Sequence, residues 1–133
     1  MKYLIIAIVI PMIILIANIC VCQSKWDIKI IEAVEDNNLN EFKKCLTKGA
    51  SVTNKNRMGE NLLTIAAKNG NKAIVNELLN NNANVNYEDY FGRTALLAAT
   101  SYGNIEVVQL LKDKGAFGPE GAEKDHYICY GKT

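Results

Sequence analysis

The chain has 133 residues, with 15 Lys+Arg against 14 Asp+Glu and a net charge of +1. That length suits one domain. The charge balance excludes a nucleic-acid binder that works through a basic excess. One His and four scattered Cys do not supply the four ligands of a structural zinc, so neither a metal site nor a cofactor is expected.

Lys2 precedes an apolar run from Tyr3 to Cys22, interrupted only by Pro11 and Asn18. A short basic start and a long apolar stretch describe a secretory signal. Cleavage would then follow Cys22 or Ser24. Two other readings stay open. About twenty apolar residues span a bilayer as an uncleaved anchor. Lipid attachment at Cys20 or Cys22 is the third, although Ile19 and Val21 stand where such signals carry a small residue. Each reading sends residues 25–133 across a membrane, because Lys2 stays behind. The expected location is therefore periplasmic, envelope-associated or secreted, with membrane contact only through residues 1–22 if these are uncleaved or lipidated.

From about residue 25 the sequence repeats itself at a spacing of 33. The shift carries Gly59 onto Gly92, Leu63 onto Leu96, Ala66 onto Ala99, Gly70-Asn71 onto Gly103-Asn104, Val75 onto Val108 and Leu78 onto Leu111. The first copy, 25–56, fits more loosely: Ala33, Phe42, Leu46 and Val52 fall under Ala66, Val75, Leu79 and Val85. Trp26 is expected to cover its free edge. In the second copy, 57–89, Asn61 caps a helix predicted over 61–69, and Gly70 ends it in the left-handed conformation. Ile74, Val75, Leu78 and Leu79 mark a second helix over 72–81. Asn80-Asn81-Asn82 sits at its end, where Asn tolerates the left-handed region. In the third copy, 90–116, Thr94 and Gly103 bound a helix over 94–102, and a second helix spans 105–114. No such helix is stable alone; stacked copies bury a continuous core.

The tail, 117–133, opens on the breaker cluster Gly118-Pro119-Glu120-Gly121. His126-Tyr127-Ile128-Cys129-Tyr130 follows and is expected to cap the apolar face of the last copy, with a mobile binding tail as the alternative. His126, Cys129 and the adjacent Asp125 form neither a four-ligand site nor an oriented nucleophile and base, so no catalytic residue is assigned. After cleavage only Cys45 and Cys129 would remain. They lie about two copies apart, beyond disulfide reach, and Cys45 reads as a small buried residue.

The run Gly92-Arg93-Thr94-Ala95-Leu96-Leu97-Ala98-Ala99, continued by Gly103-Asn104-Ile105-Glu106-Val107-Val108-Gln109-Leu110-Leu111 and Gly115-Ala116, resembles the ankyrin repeat family. So does Gly59-Glu60-Asn61-Leu62-Leu63-Thr64-Ile65-Ala66-Ala67, and the resemblance covers about residues 27–116. It implies an all-α fold, a solenoid of stacked helix–turn–helix units with β-turn loops. The chain departs from the family's Thr-Pro-Leu-His motif. Leu62 and Ala95 replace its Pro, and Thr64 and Leu97 replace its His. The hydrogen bonds that this His makes to neighbouring loops therefore need another source. The first copy, with Ile28-Lys29-Ile30-Ile31 in that place, lacks the motif.

The resemblance also implies a protein-binding module that works through its loop tips and the exposed side of its first helices. Carried onto this sequence, the loop positions are Arg57, Met58 and Glu60, then Tyr90, Phe91 and Arg93. The helix positions are Lys68, Asn69, Ser101 and Tyr102, with Glu35 and Asp36 in the first copy. The third copy stands out, because a loop that only connects is usually polar, and Tyr and Arg dominate many interfaces. The expected function is an exported, non-catalytic binder of another protein. An immunity-type inhibitor that occludes a toxin and a secreted effector that binds a host protein are the alternatives.

Overall fold

Caps and left-handed stops set the helix boundaries. A computed structural model describes residues 2–118, apart from the side chains of residues 17–24. Six helices form among them: α1 Lys2–Glu35, α2 Leu39–Thr47, α3 Leu62–Asn69, α4 Lys72–Asn80, α5 Ala95–Ser101 and α6 Ile105–Asp113. Asn61 accepts the amide of Thr64 at the start of α3 and Thr94 that of Leu97 at the start of α5. Asn38 and Asn71 cap α2 and α4 in the same way. Gly70 ends α3 at φ 74° and Gly103 follows α5 at φ 71°. Asn82, after α4, takes φ 61°, the left-handed place its side chain tolerates.

The helices pair as α1/α2, α3/α4 and α5/α6, and the pairs stack in chain order, with α3 packed against both α1 and α5 and α4 against both α2 and α6. Ala66 and Ala99 are fully buried where the first helices approach one another. Ile30, Val34, Phe42, Ile74, Val75, Leu78 and Leu111 continue the core between the two helix layers. Each such aliphatic side chain contributes about 2 kcal/mol by leaving water. Trp26 packs on the first edge of that core, and Cys45 is buried inside it.

Asparagine side chains tie each copy to the next, and further side-chain bonds close the first and second copies on themselves. Asn104 Nδ2 donates to the carbonyls of Ala67 and Lys68 at 2.8 and 2.9 Å. Asn69 Nδ2 donates to that of Val34 at 3.0 Å. Asn54 Nδ2 and the Ser51 amide share Asp27 Oδ1 at 2.7 and 3.0 Å. The Tyr87 hydroxyl donates to the Gly59 carbonyl at 3.0 Å.

The apolar leader and the first copy share one helix. α1 runs 34 residues, with Pro11 inside it, a length of roughly 50 Å. It continues through residues 22–25 because no Gly or Pro stands between Cys22 and Asp27. Its large apolar side chains from Tyr3 to Ile16 are exposed, whereas Ile30 and Val34 are fully buried. Among the described residues no helix is long and apolar enough to cross a membrane. The apolar run itself continues into residues whose side chains lie outside the description.

Candidate partner-binding surface

Two turns of one design project from the stack. At the turn that opens the second copy, Asn56 Oδ1 accepts the amides of Met58 and Glu60, each at 3.0 Å. At the turn that opens the third, Asp89 Oδ1 accepts those of Phe91 and Arg93 at 2.8 and 3.0 Å. The Asn56 amide donates to the Glu60 carbonyl and the Asp89 amide to the Arg93 carbonyl, closing each loop. Gly59 at φ 76° and Gly92 at φ 71° complete the reversals. A side-chain oxygen fixed on its own backbone in this way holds the turn without help from neighbours. The two tip residues of each turn are thereby presented outward: Met58 is 59% exposed with Arg57 exposed beside it, and Tyr90 is 75% and Phe91 72% exposed.

Burial alone would push the Asp89 carboxyl up. The amides of Arg93 and Phe91 and the Arg93 guanidinium outweigh it and hold the group below the usual carboxylate range. Asp89 is therefore an anion at neutral pH, with Arg93 Nε 2.8 Å from Oδ2.

The expectation that Glu60 faces a partner is corrected: it is 2% exposed. Asn56 Nδ2 donates to it at 2.7 Å, and Lys68 Nζ and Arg93 Nη2 lie 3.4 and 3.2 Å from Oε1. A buried carboxylate requires such partners. Glu60, Lys68 and Arg93 thus form a network that joins the two turns. Lys68 and Arg93 are half-buried, and the Arg93 guanidinium lies 5.2 Å from the Phe91 ring. Asn69 is spent on bonding the Val34 carbonyl. Ser101 and Tyr102 are exposed, but they stand at the far end of α5, roughly 10 Å from its capped start. Glu35 and Asp36 are exposed where α1 ends.

Asn56 and Asp89, which hold the turns, and Tyr87, which bonds the Gly59 carbonyl, are positions that the sequence reading missed. The signal for the first two was present: an Asn or Asp stands three residues before each turn glycine, in register with the repeat.

Beside the Asn56 turn, a groove of about 600 Å³ separates it from α1. Ile28, Ile31 and Met58 give it apolar walls; Glu32 and Glu35 edge the helix side, and Lys55 and Arg57 the turn side. Among the described residues no group of three His, Cys, Asp or Glu is placed to hold a metal ion. Burial pushes the Cys45 thiol up, which disfavours its reactive thiolate. His126, Cys129 and Asp125 lie outside the described residues.

Residues 30–120 match the family model for ankyrin repeats in 3 copies. An Arabidopsis thaliana protein, E3 ubiquitin-protein ligase XBAT33, is 36% identical over 85 residues, which is 62% of this chain and 17% of that protein. An Oryza sativa subsp. japonica protein named Probable E3 ubiquitin-protein ligase XBOS32 is 31% identical over 99 residues, 73% of this chain and 20% of that one. The human Mitochondrial disaggregase is 38% identical over 68 residues, 51% of this chain and 10% of the other. The chain spans a fifth or less of the length of these curated relatives.

Proposed function

The chain belongs to the ankyrin repeat family, and from that premise we propose that it is a non-catalytic module that binds another protein through its turn tips. The observation that carries this reading is the exposure of Tyr90 and Phe91, 75% and 72%, on a turn fixed by a buried carboxylate. Aromatic side chains presented on a fixed backbone turn lose little backbone entropy on docking and bury a large apolar area when covered. Met58 and Arg57 extend the surface toward the groove beside α1, and Tyr102 adds a second exposed aromatic contact on the third copy. The ligase and disaggregase names belong to proteins of which this chain matches only a small part, and neither activity is proposed for it.

Export is part of the proposal. Lys2 and the apolar run behind it support a signal or an anchor, and the repeats would then act beyond the membrane. A toxin inhibitor and a secreted effector are specific forms of the same binding role.

The test is a pull-down from an extract of the source cells, with the full chain as bait. A matched bait carries Met58→Ala, Tyr90→Ala and Phe91→Ala, with equal helical circular dichroism. One protein retained by the native bait and lost from the variant is the expected result. Equal capture by both baits would place the interface elsewhere.

A further inference from the structure

The two turns touch each other as well as the stack. Asn56 Oδ1 closes its own turn, but its bonds join that turn only to itself. The place of the Asn56 turn beside the Asp89 turn is set by contacts from residues 87–93. The Tyr87 hydroxyl donates to the Gly59 carbonyl at 3.0 Å. Cγ, Cδ2 and Cε2 of Tyr90 would lie 2.7 to 2.8 Å from a methyl group at Gly59. Three neighbouring ring atoms at nearly one distance put a face of the ring over the glycine, and only a residue without a side chain admits it so close. Tyr90 is nonetheless 75% exposed, so its other face is in water. The third contact, Arg93 to Glu60 at 3.2 Å, ties the bases of the turns.

Tyr87 is itself held from two sides. Lys55 Nζ lies 4.5 Å from the centre of its ring, a distance at which an ammonium is attracted to an aromatic face. Lys55 leads into the Asn56 turn and bridges to Asn61 across it. The half-buried ring is gripped by the base of that turn while its hydroxyl grips Gly59 near the tip. Tyr87 and Tyr90 also stand two residues before and one after Asp89, the residue that closes the other turn. A displacement of the Asp89 turn therefore carries both rings with it, and through them the tip at Met58.

We propose that Tyr87 and Tyr90 are positioning residues that lock the Asn56 turn to the Asp89 turn, so that Met58 and the pair Tyr90 and Phe91 form one preformed surface. This rests on the reading of the tips as the binding surface. Tyr87 acts without touching a partner, because its hydroxyl is spent on Gly59. Tyr90 serves twice, with one face on Gly59 and the other free for docking. A protein that seats across both tips meets groups already at their final spacing, and less ordering opposes its binding.

The experiment measures orientation of the turn rather than its closure. Amide order parameters are derived from residual dipolar couplings of the full chain in detergent micelles. Met58 and Gly59 are expected at about 0.85 in the native chain, like the amides of α3, and below about 0.6 in the double variant Tyr87→Phe, Tyr90→Ala. Tyr87→Phe alone keeps the ring under Lys55 and deletes only the donor, so its values should fall between these. The amides of Phe91 and Arg93, which Asp89 holds, and those of α3 should be unchanged in both variants. Native values below about 0.6 at Met58 and Gly59 overturn the proposal, and so do unchanged values in the double variant. A fall shared by α3 or by the Asp89 turn overturns it too, because the tyrosines would then support the stack at large. No partner enters this measurement. A failed pull-down with the expected order parameters discards the binding reading and leaves the lock, whereas a successful one with unchanged order parameters does the reverse.

Discussion

The second copy holds its turn with an amide, Asn56, and the third with a carboxylate, Asp89. Both oxygens accept the same two backbone amides at nearly the same distances. The backbone reversal therefore depends on an acceptor, not on charge. The charge does something else. At the position four residues on, the second copy has Glu60 and the third Arg93, and these equivalent residues pair across the copies at 3.2 Å. Because Asp89 is an anion, Arg93 is drawn to two buried carboxylates at once. Arg57, beside Asn56, stays in water. One repeat position thus serves as a tie between copies, and the tip positions beside it are left free for binding.

The largest expected effect separates the two arginines. Arg93→Ala leaves the Asp89 and Glu60 side chains, 0% and 3% exposed, without their shared cation. The Arg93 side chain is 41% exposed and solvent screens the pair, so its loss is expected to cost about 2 kcal/mol. Arg57→Ala removes an exposed tip residue and stays within about 0.5 kcal/mol. Urea unfolding followed by circular dichroism measures both, and equal costs would break the distinction between tie and tip.

Next comes the acid response. The folded-state pKa of Asp89 lies below its unfolded value, so its contribution is fully present above the unfolded pKa of about 3.9. It is lost as pH falls from there through the depressed folded value. Asp89→Asn keeps the acceptor oxygen and removes the titration. The variant is expected to be less stable than the native chain at pH 7, by about 1–2 kcal/mol, and the gap should close toward pH 2. A gap that stays constant across that range would mean that the carboxylate charge contributes nothing to the turn. Asn56→Ala, by contrast, removes an acceptor without charge. It should cost about 1 kcal/mol at every pH.

The stack was legible because its signals are local and repeated. Asn61, Thr94, Gly70 and Gly103 mark helix ends by cap chemistry alone, and each observed helix from α3 to α6 lies within a residue of its predicted bounds. Less was legible at α1 and at the surface. Composition marks residues 1–22 as a separate stretch, yet nothing between Cys22 and Asp27 ends a helix, so backbone hydrogen bonding carries α1 across that boundary. Glu60 was expected outside because the family resemblance puts its position among the loop tips. Its burial depends on Arg93, 33 residues away, and no property of Glu60 alone announces it. The pair of opposite charges at one repeat position was the usable sign, and it needed both copies to be read together.

The smallest effect on stability belongs to the residues expected to matter most for binding. Tyr90→Ala and Phe91→Ala remove side chains that are mostly in water, so each should change unfolding free energy by no more than about 0.5 kcal/mol. Tyr90 touches Gly59 and Phe91 lies near Arg93, but neither contact closes the turn, which the Asp89 carboxylate holds. If the third turn is a rigid mount for a docking surface, these two variants unfold like the native chain and lose the partner. If they instead cost 2 kcal/mol or more, the aromatics are part of the turn's own packing. Their exposure would then be no argument for an interface, and the Met58 side of the surface, with the groove against α1, would become the better candidate.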